Sequence, residues 1–464
     1  MHSLARVLSL LPQFFPPYLS WRYLKALVVP LTQTLEMAAG AILIAIALGL
    51  LASVWIAAGL PGGRAVYVAL ASFRSIPDLT LAIFCVVLIG IGPAAGMLAL
   101  AIFYTASIGK IFTDLFLSAD PGPIDALRAT GAGGLATALF GHLPLRLKDI
   151  LSYGAYEFES AVRASVIVGA VGGGGLGTEI VGTINAVDYR RTATLLLVLI
   201  VLIAVIDKLA HLVKEQPRFA WILLPAGISA LWLNWPANIA WAHSLDAFRH
   251  MLPPSLSADA VHEVPRLLLE TLEIAAGGTA IAAIAALPLG LCAARNLSPS
   301  YLTLPVRRFL ESLRAVPEIV WGLILVAAIG LGPQTGMIAL ALHTTGTLGR
   351  LYAESFENVP ISPVQALAAT GATSIATAAF AFVPLALPPL AVHTLFRLEW
   401  NVRAATIIGV IGAGGIGQAL FDAQQLFFYK QMVAYILITW VLVLAVDQAS
   451  GVLRRRLKLL EVDE

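Results

Sequence analysis

Charge is scarce in this 464-residue chain: Lys, Arg, Asp and Glu make up 12% of it and hydrophobic residues 59%, against about 25% and about 45–50% in soluble globular proteins. That balance excludes an ordinary cytosolic enzyme. The net charge of +2 leaves no basic excess, so no nucleic-acid partner is expected. Cysteine is nearly absent. Cys85 and Cys292 lie far apart in apolar runs, which argues against a disulfide or a thiolate metal site. The eight histidines show no H-E-x-x-H spacing, and no metal centre is expected. No G-x-x-x-x-G-K-[ST] occurs, so the chain cannot hold a nucleotide by a P-loop and any ATP must be handled by a partner. Between Met1 and Ser20 the short apolar stretch is broken by Pro12, Pro16 and Pro17 with no small-residue cleavage site, so a cleaved signal peptide is not expected.

What the chain has in abundance is apolar runs of about 20 residues, the length that crosses a bilayer as a helix. They fall at about 32–58, 72–92, 95–117, 150–176 and 192–213, then at about 219–235, and then at about 266–292, 312–332, 335–356, 390–416 and 432–451. Membrane lipid is therefore its solvent, and eleven spans are expected.

The sequence is also a tandem duplication. Thr34-Leu35-Glu36 returns as Thr271-Leu272-Glu273, Arg74-Ser75-Ile76-Pro77-Asp78 as Arg314-Ala315-Val316-Pro317-Glu318, and Gly90-Ile91-Gly92-Pro93 as Gly330-Leu331-Gly332-Pro333. Ala129-Thr130-Gly131 matches Ala369-Thr370-Gly371, and the glycine-rich run from Val171 to Gly177 matches Ile411 to Gly417. The offset is 237 residues early and 240 later, one small indel. The halves are 1–214, with about five spans, and 215–464, with about six. Lys and Arg in short loops collect on the cytoplasmic side. Lys208, Lys214 and Arg218 place the connection inside, and Arg454, Arg455, Arg456 and Lys458 place the C-terminus inside. Five spans before the connection then put the N-terminus outside, although Arg6, Arg22 and Lys25 oppose this. Six spans between equivalent points give the halves one orientation, the parallel arrangement that encloses a path in transporters.

Between the third and fourth spans of each half lies a longer, less apolar stretch. The first reads Asp125-Ala126-Leu127-Arg128-Ala129-Thr130-Gly131, nine residues, then Gly141-His142-Leu143-Pro144. The second reads Gln365-Ala366-Leu367-Ala368-Ala369-Thr370-Gly371, nine residues, then Ala381-Phe382-Val383-Pro384. A short helix stopped by Gly and a second piece ended by Pro make a rigid bracket along the membrane face, or more plainly a surface helix–turn–helix.

Both stretches resemble the EAA loop of ABC-importer permeases, E-A-A, three residues, G, nine residues, I-x-L-P. The wider chain resembles two fused permease subunits of the phosphonate importer family. The resemblance implies an all-α polytopic fold of two parallel permease repeats, similar to the methionine importer, with no catalytic residues of its own. It implies coupling to two ATPase subunits on the cytoplasmic face through Asp125, Ala126, Leu127, Gly131 and Pro144 and through Gln365, Ala366, Leu367, Gly371 and Pro384. ATP and Mg would sit in those partners and no cofactor in this chain, while an extracytoplasmic binding protein would deliver the solute. Asp125 and Gln365 stand where the family usually has Glu.

Charges inside spans are costly and by default functional. Glu159 and Arg163, and again Glu399 and Arg403, are spaced i,i+4, which makes each a self-neutralising pair or leaves each Arg facing an anion path. Gly412-Ala413-Gly414-Gly415-Ile416-Gly417 fits G-x-G-x-x-G, but it ends an apolar span and occurs twice, so a dinucleotide site is rejected. Gly172, Gly174, Gly175 and Gly177, with Gly412, Gly414, Gly415 and Gly417, either let helices approach closely or break the span so that backbone N–H groups face an anion. Candidate path residues are Tyr104, Thr105 and Ser107, and His343, Thr344, Thr345 and Thr347, whose donors suit a passing oxyanion. Hydroxyls bonded back to their own backbone are the alternative. An ATP-driven importer of phosphonate, phosphite or phosphate is the reading; an ion-gradient-driven secondary transporter of a small anion is the alternative.

Overall fold

The computed structural model describes residues 11–216, 223–234 and 241–456; Arg6, Arg218 and Lys458 lie outside the described residues. All regular elements among the described residues are helical. Packing divides the chain into two compact units, Leu11–Ser255 with Gln424–Ile436, and Leu256–Ala423 with Leu437 onward.

In the first unit α1 (Val28–Ala57) carries a single charge, Glu36, and is apolar round its circumference. It packs along α4 (Pro93–Leu117). Glycine permits the approach: a Cβ on Gly49 would lie 3.1 Å from the Gly109 nitrogen. Hydroxyls then fill the seam, Ser53 donating to the carbonyls of Gly49 (2.7 Å) and Gly109 (3.1 Å). Between these helices, α2 (Gly63–Phe73) and α3 (Asp78–Ile89) meet at 95°. Pro77 causes the corner, because the residue before a proline is pushed out of helical geometry. After α5 (Pro121–Ala129) come α6 (Leu143–Val168), α7 (Gly175–Asn185) and α8 (Tyr189–Glu215).

Two helices follow, α9 (Leu223–Asn234) and α10 (Trp241–Met251). Sequence order places the apolar run at 219–235 at the head of the second half. In the structure its described part packs on α1 of the first unit, with Gly227 so close to Leu43 that an added Cβ would meet that side chain at 2.8 Å.

The second half of the sequence repeats the plan with α11 (Ala258–Ala293), α12 (Ser300–Ala315), α13 (Glu318–Ile329), α14 (Pro333–Glu357), α15 (Ile361–Ala369), α16 (Val383–Ile408), α17 (Gly415–Gln425) and α18 (Tyr429–Arg456), the first turns of α18 packing with the first unit. Here α11 packs along α14 and α12 meets α13 at 85° before Pro317.

The expected eleven spans are not all found. Among the described residues six helices are long and apolar enough to cross a membrane, or nine if each of three bent pairs counts as one span. The two missing are α9 and α14. The described part of α9 has 12 residues, about 18 Å at 1.5 Å per residue, well short of a ~30 Å slab. α14 has 25 residues but is diluted by Gln334, His343, Arg350 and four threonines, whereas its counterpart α4 passes.

Candidate functional site

The two bracket sequences fold alike. α5 starts behind Asp120, whose carboxylate accepts from the Gly122 N–H at 3.0 Å, and α15 starts behind Pro360. Each is stopped by a glycine in left-handed geometry, Gly131 at φ +85° and Gly371 at φ +84°. In the last turn Thr130 and Thr370 donate to the carbonyls of Leu127 and Leu367, both at 2.7 Å. One side chain pins each short helix to its unit, Ile124 and Val364, 3% and 8% exposed. The polypeptide then turns back through a π-helical segment, 138–142 or 378–382, into α6 or α16. Buried His142 secures the first turn, its Nδ1 lying 2.8 Å from the Phe116 carbonyl.

Ala126 and Leu127 thereby face Phe140, Gly141, Pro144 and Leu145 across a groove of about 530 Å³. Phe140 and its repeat Phe380 are 75% and 77% exposed. Asp125 and Gln365 are also exposed, the former 3.4 Å from Arg128. An exposed groove with an apolar floor and a polar rim is the chemistry of a protein-docking surface.

The glycine motifs form a joint. Gly92 N–H donates to the Gly172 carbonyl at 2.9 Å, and Gly332 N–H to that of Gly412 at 3.0 Å, so the Gly-x-Gly-Pro turn and the glycine-rich run hold each other. Gly172, Gly174 and Gly175 have φ of +102°, +86° and +72°, and Gly412, Gly414 and Gly415 have +94°, +96° and +70°, values that L side chains rarely adopt. The chain bends by 60° there in the first unit. A Cβ on Gly177 would lie 2.0 Å from the Val166 carbonyl oxygen, and one on Gly417 2.0 Å from that of Thr406. Two of the N–H groups at each break are taken up within the unit. Gly175 and Leu176 donate to Gln33 Oε1 (3.1 Å) and Thr34 Oγ1 (2.9 Å), and Gly415 and Ile416 to Glu270 Oε2 (3.1 Å) and Thr271 Oγ1 (2.9 Å). Close helix contact and capping are what the geometry shows at these glycines.

The path candidates divide. Tyr104 is buried and donates to Ser160 at 3.1 Å. Thr344 is buried and donates to Asn401, which in turn donates to Thr279 at 2.8 Å. Thr345 is 6% exposed, and Thr105 sits in an apolar groove with Leu70 and Phe73. His343 faces the Val316 carbonyl at 3.0 Å and Glu318 at 3.9 Å. Ser107 and Thr347 are half-buried and face charge. Ser107 lies 3.5 Å from Glu157, which also accepts from Tyr153, whereas Thr347 accepts from Arg397 at 2.8 Å. Glu157 and Arg397 stand 240 residues apart, so equivalent positions carry opposite charge. Sequence reading missed them, although the repeat offset that aligned the motifs would have exposed the swap.

The ion pairs differ too. Arg163 bonds Glu159 one turn away. Glu399, by contrast, accepts from Arg454 of α18, which also donates to Ser450 at 2.8 Å and lies 4.0 Å from the Phe396 ring centroid. The i,i+4 spacing to Arg403 misses this long-range partner, and Arg454, expected in a cytoplasmic cluster, is 8% exposed. Arg403 and Arg397 flank Trp400, 5.3 Å and 5.8 Å from its ring centroid.

Comparison with known proteins agrees with the duplication. The family described as binding-protein-dependent transport system inner membrane component matches twice, over residues 45–216 and 286–459. The chain is 32% identical over 419 residues to the phosphate-import permease protein PhnE of Mycolicibacterium smegmatis, covering 86% of this chain and 79% of that one. It is 41% identical over 194 residues to the phosphite transport system permease protein PtxC of Stutzerimonas stutzeri, covering 42% of this chain and 70% of the relative. A chain of the MetNI methionine ABC transporter aligns over 43% of this chain and 99% of its own length at 21% identity, with a TM-score of 0.40. The chain belongs to the binding-protein-dependent transport system inner membrane components and is a multi-pass, non-catalytic permease component of an ABC importer, with two permease domains in one polypeptide.

Proposed function

We propose that this permease carries a small phosphorus oxyanion, phosphonate, phosphite or phosphate, into the cytoplasm by alternating access. The observation that carries the reading is the similarity to a phosphate-import permease over 86% of the chain, joined by a phosphite permease on a half-length match. Two ATPase subunits engage the segments 125–144 and 365–384, one each. The grooved surface at Ala126, Leu127 and Pro144 supports this, as does the same backbone geometry at Gly131 and Gly371. ATP and Mg belong to those subunits and none to this chain; an extracytoplasmic binding protein presents the anion. The N-terminus lies outside and the C-terminus inside.

The test is to purify the tagged chain from native membranes in mild detergent and count what accompanies it. Two ATPase polypeptides per permease chain and no second permease subunit are expected. In vesicles the same complex takes up labelled phosphate, phosphite or methylphosphonate with ATP and continues when an ionophore collapses the ion gradients. Uptake that stops with the gradient, in a chain that purifies alone, refutes the proposal.

A further inference from the structure

We infer that Arg307 of α12 and Glu357 of α14 are positioning residues that pass the movement of the second bracket into α11 and α12, a device of the second half. This rests on the proposal above that the bracket docks an ATPase subunit.

Glu357 is the last residue of α14, four residues before α15 begins at Ile361. Its carboxylate gathers the neighbouring chain. Oε1 accepts from Arg307 Nη2 and from the Arg295 N–H, both at 2.6 Å, and Arg307 Nε donates to the Ala293 carbonyl at 2.8 Å. Asn296 Nδ2 donates to the Phe356 carbonyl at 2.9 Å. Four bonds thus join the last turn of α14 to the end of α11, the turn after it and α12. Those made by the guanidinium or the carboxylate belong to the stronger, charge-assisted class. Beneath them one apolar cluster holds Ala293, Leu310, Phe356 and Val364, with Leu297 and Leu367 packed against it, so α15 and the turn between α11 and α12 share a core. A bracket pushed by a docked subunit cannot shift against α11 and α12 without breaking charged bonds and opening that core. The side chains of Arg307 and Glu357 are 23% and 25% exposed, open enough to water that their attraction adds little to stability. What the pair supplies is a fixed geometry.

The first half is built differently at the same positions. Tyr67 and Leu117 stand where Arg307 and Glu357 do. The leucine side chain accepts no hydrogen bond, and Tyr67 donates to Asp114 at 3.0 Å, earlier on α4. The exit of α4 is fastened forward instead: Arg146 of α6 donates to the Ser118 carbonyl and to Asp149, the latter at 3.1 Å. Ala386 occupies the place of Arg146 in the second half. The exit of α14 is therefore tied back to the helices that precede it, and the exit of α4 to the helix that follows its bracket.

The test uses the whole complex with its ATPase subunits in lipid vesicles. Cys292 is replaced by Ala, Cys85 is left in place because it is buried, and an environment-sensitive fluorophore is attached at Ser312→Cys, an exposed position on α12. Trapping with ATP and vanadate shifts the emission of this parent. Glu357→Leu, the residue of the first half, shrinks the shift about threefold or more, a size that changes along a coupling route produce. ATP hydrolysis, retained ATPase polypeptides and the thermal aggregation midpoint stay at the parent's values. Arg307→Met acts in the same way, whereas Glu357→Gln, whose amide oxygen still accepts, keeps most of the shift. Glu354→Gln, on the same helix but outside the tie, leaves the shift whole. A shift that survives both Glu357→Leu and Arg307→Met, or that the parent lacks, overturns the inference. A shift lost together with ATPase retention or with the midpoint makes the tie structural and overturns it too, as does failure of both variants to fold. A parent chain that purifies with no ATPase polypeptide refutes the docking proposal itself, an outcome distinct from all of these.

Discussion

Arg454→Met should unfold the second unit far more readily than its place near the end of the last helix suggests. Glu399 and Arg454 are both about nine-tenths buried, 10% exposed at each side chain. Removing the cation leaves a carboxylate in an apolar interior, which costs about 3–5 kcal/mol for a buried pair; the methionine retains most of the packing over Phe396. At about 2–4 °C per kcal/mol for a unit of this size, the midpoint of thermal aggregation in detergent falls by roughly 6–20 °C. By contrast the Asp125–Arg128 pair, 65% and 56% exposed, is worth no more than about 1 kcal/mol, so Arg128→Met leaves the midpoint nearly unchanged. Replacing both members of the buried pair, Glu399→Met with Arg454→Met, removes the stranded charge and recovers most of the loss. The assay is fluorescence-detected gel filtration after heating, run on wild type, Glu399→Met, Arg454→Met, their double, and Arg403→Met and Arg128→Met. If Arg403→Met is the severe change and Arg454→Met is mild, or if the two single losses simply add in the double, the long-range pair does not hold Glu399 and the reasoning fails.

Gly177→Ala and Gly417→Ala each place a Cβ 2.0 Å from a carbonyl oxygen and should abolish most folded yield, whereas Gly182→Ala, with nothing within 4 Å of the new Cβ, should be neutral or stabilising by up to about 1 kcal/mol; yields of monodisperse protein decide it. Thr271→Val leaves the Ile416 N–H without its acceptor and should cost about 1–3 kcal/mol, read as a lower aggregation midpoint, and Thr34→Val should do the same in the first unit. Gly371→Ala meets open space but must take a left-handed backbone, at about 1–2 kcal/mol, so folded yield should hold while co-purified ATPase falls. Phe140→Ser and Phe380→Ser, at exposed positions, should weaken ATPase retention severalfold in a pull-down with no change in thermal midpoint; a midpoint that drops with retention would show the aromatics to be structural.

The duplication and the brackets were legible because they rest on residues whose backbone chemistry is distinctive. Gly131 and Gly371 end their helices at nearly one φ, and Pro144 and Pro384 sit at matched positions in the first turns of α6 and α16. Hydropathy found the apolar runs but not their corners, since Pro77 and Pro317 turn short helices through 95° and 85° without interrupting the apolar composition. Long-range pairing was invisible. Glu399 has an Arg at i+4 and bonds one 55 residues away, and the Gly92–Gly172 bond joins motifs that periodicity treats separately. Sequence order alone puts the run at 219–235 with the second half, whereas Gly227 fits its described part against α1. Residue type along a single helix does not reveal the charges opposite Ser107 and Thr347, which stand on a different helix.

Covalent fusion matters most at that last pair of positions. A permease assembled from two identical polypeptides must present either two carboxylates or two guanidinium groups where Glu157 and Arg397 stand, because every mutation is written into both copies at once. A chain that encodes each copy separately is released from that constraint: the joints and brackets can stay alike while one hydroxyl acquires an acid beside it and its counterpart a base. Charge at matched positions of the two domains is therefore free to diverge, a change that two copies of one gene product cannot make.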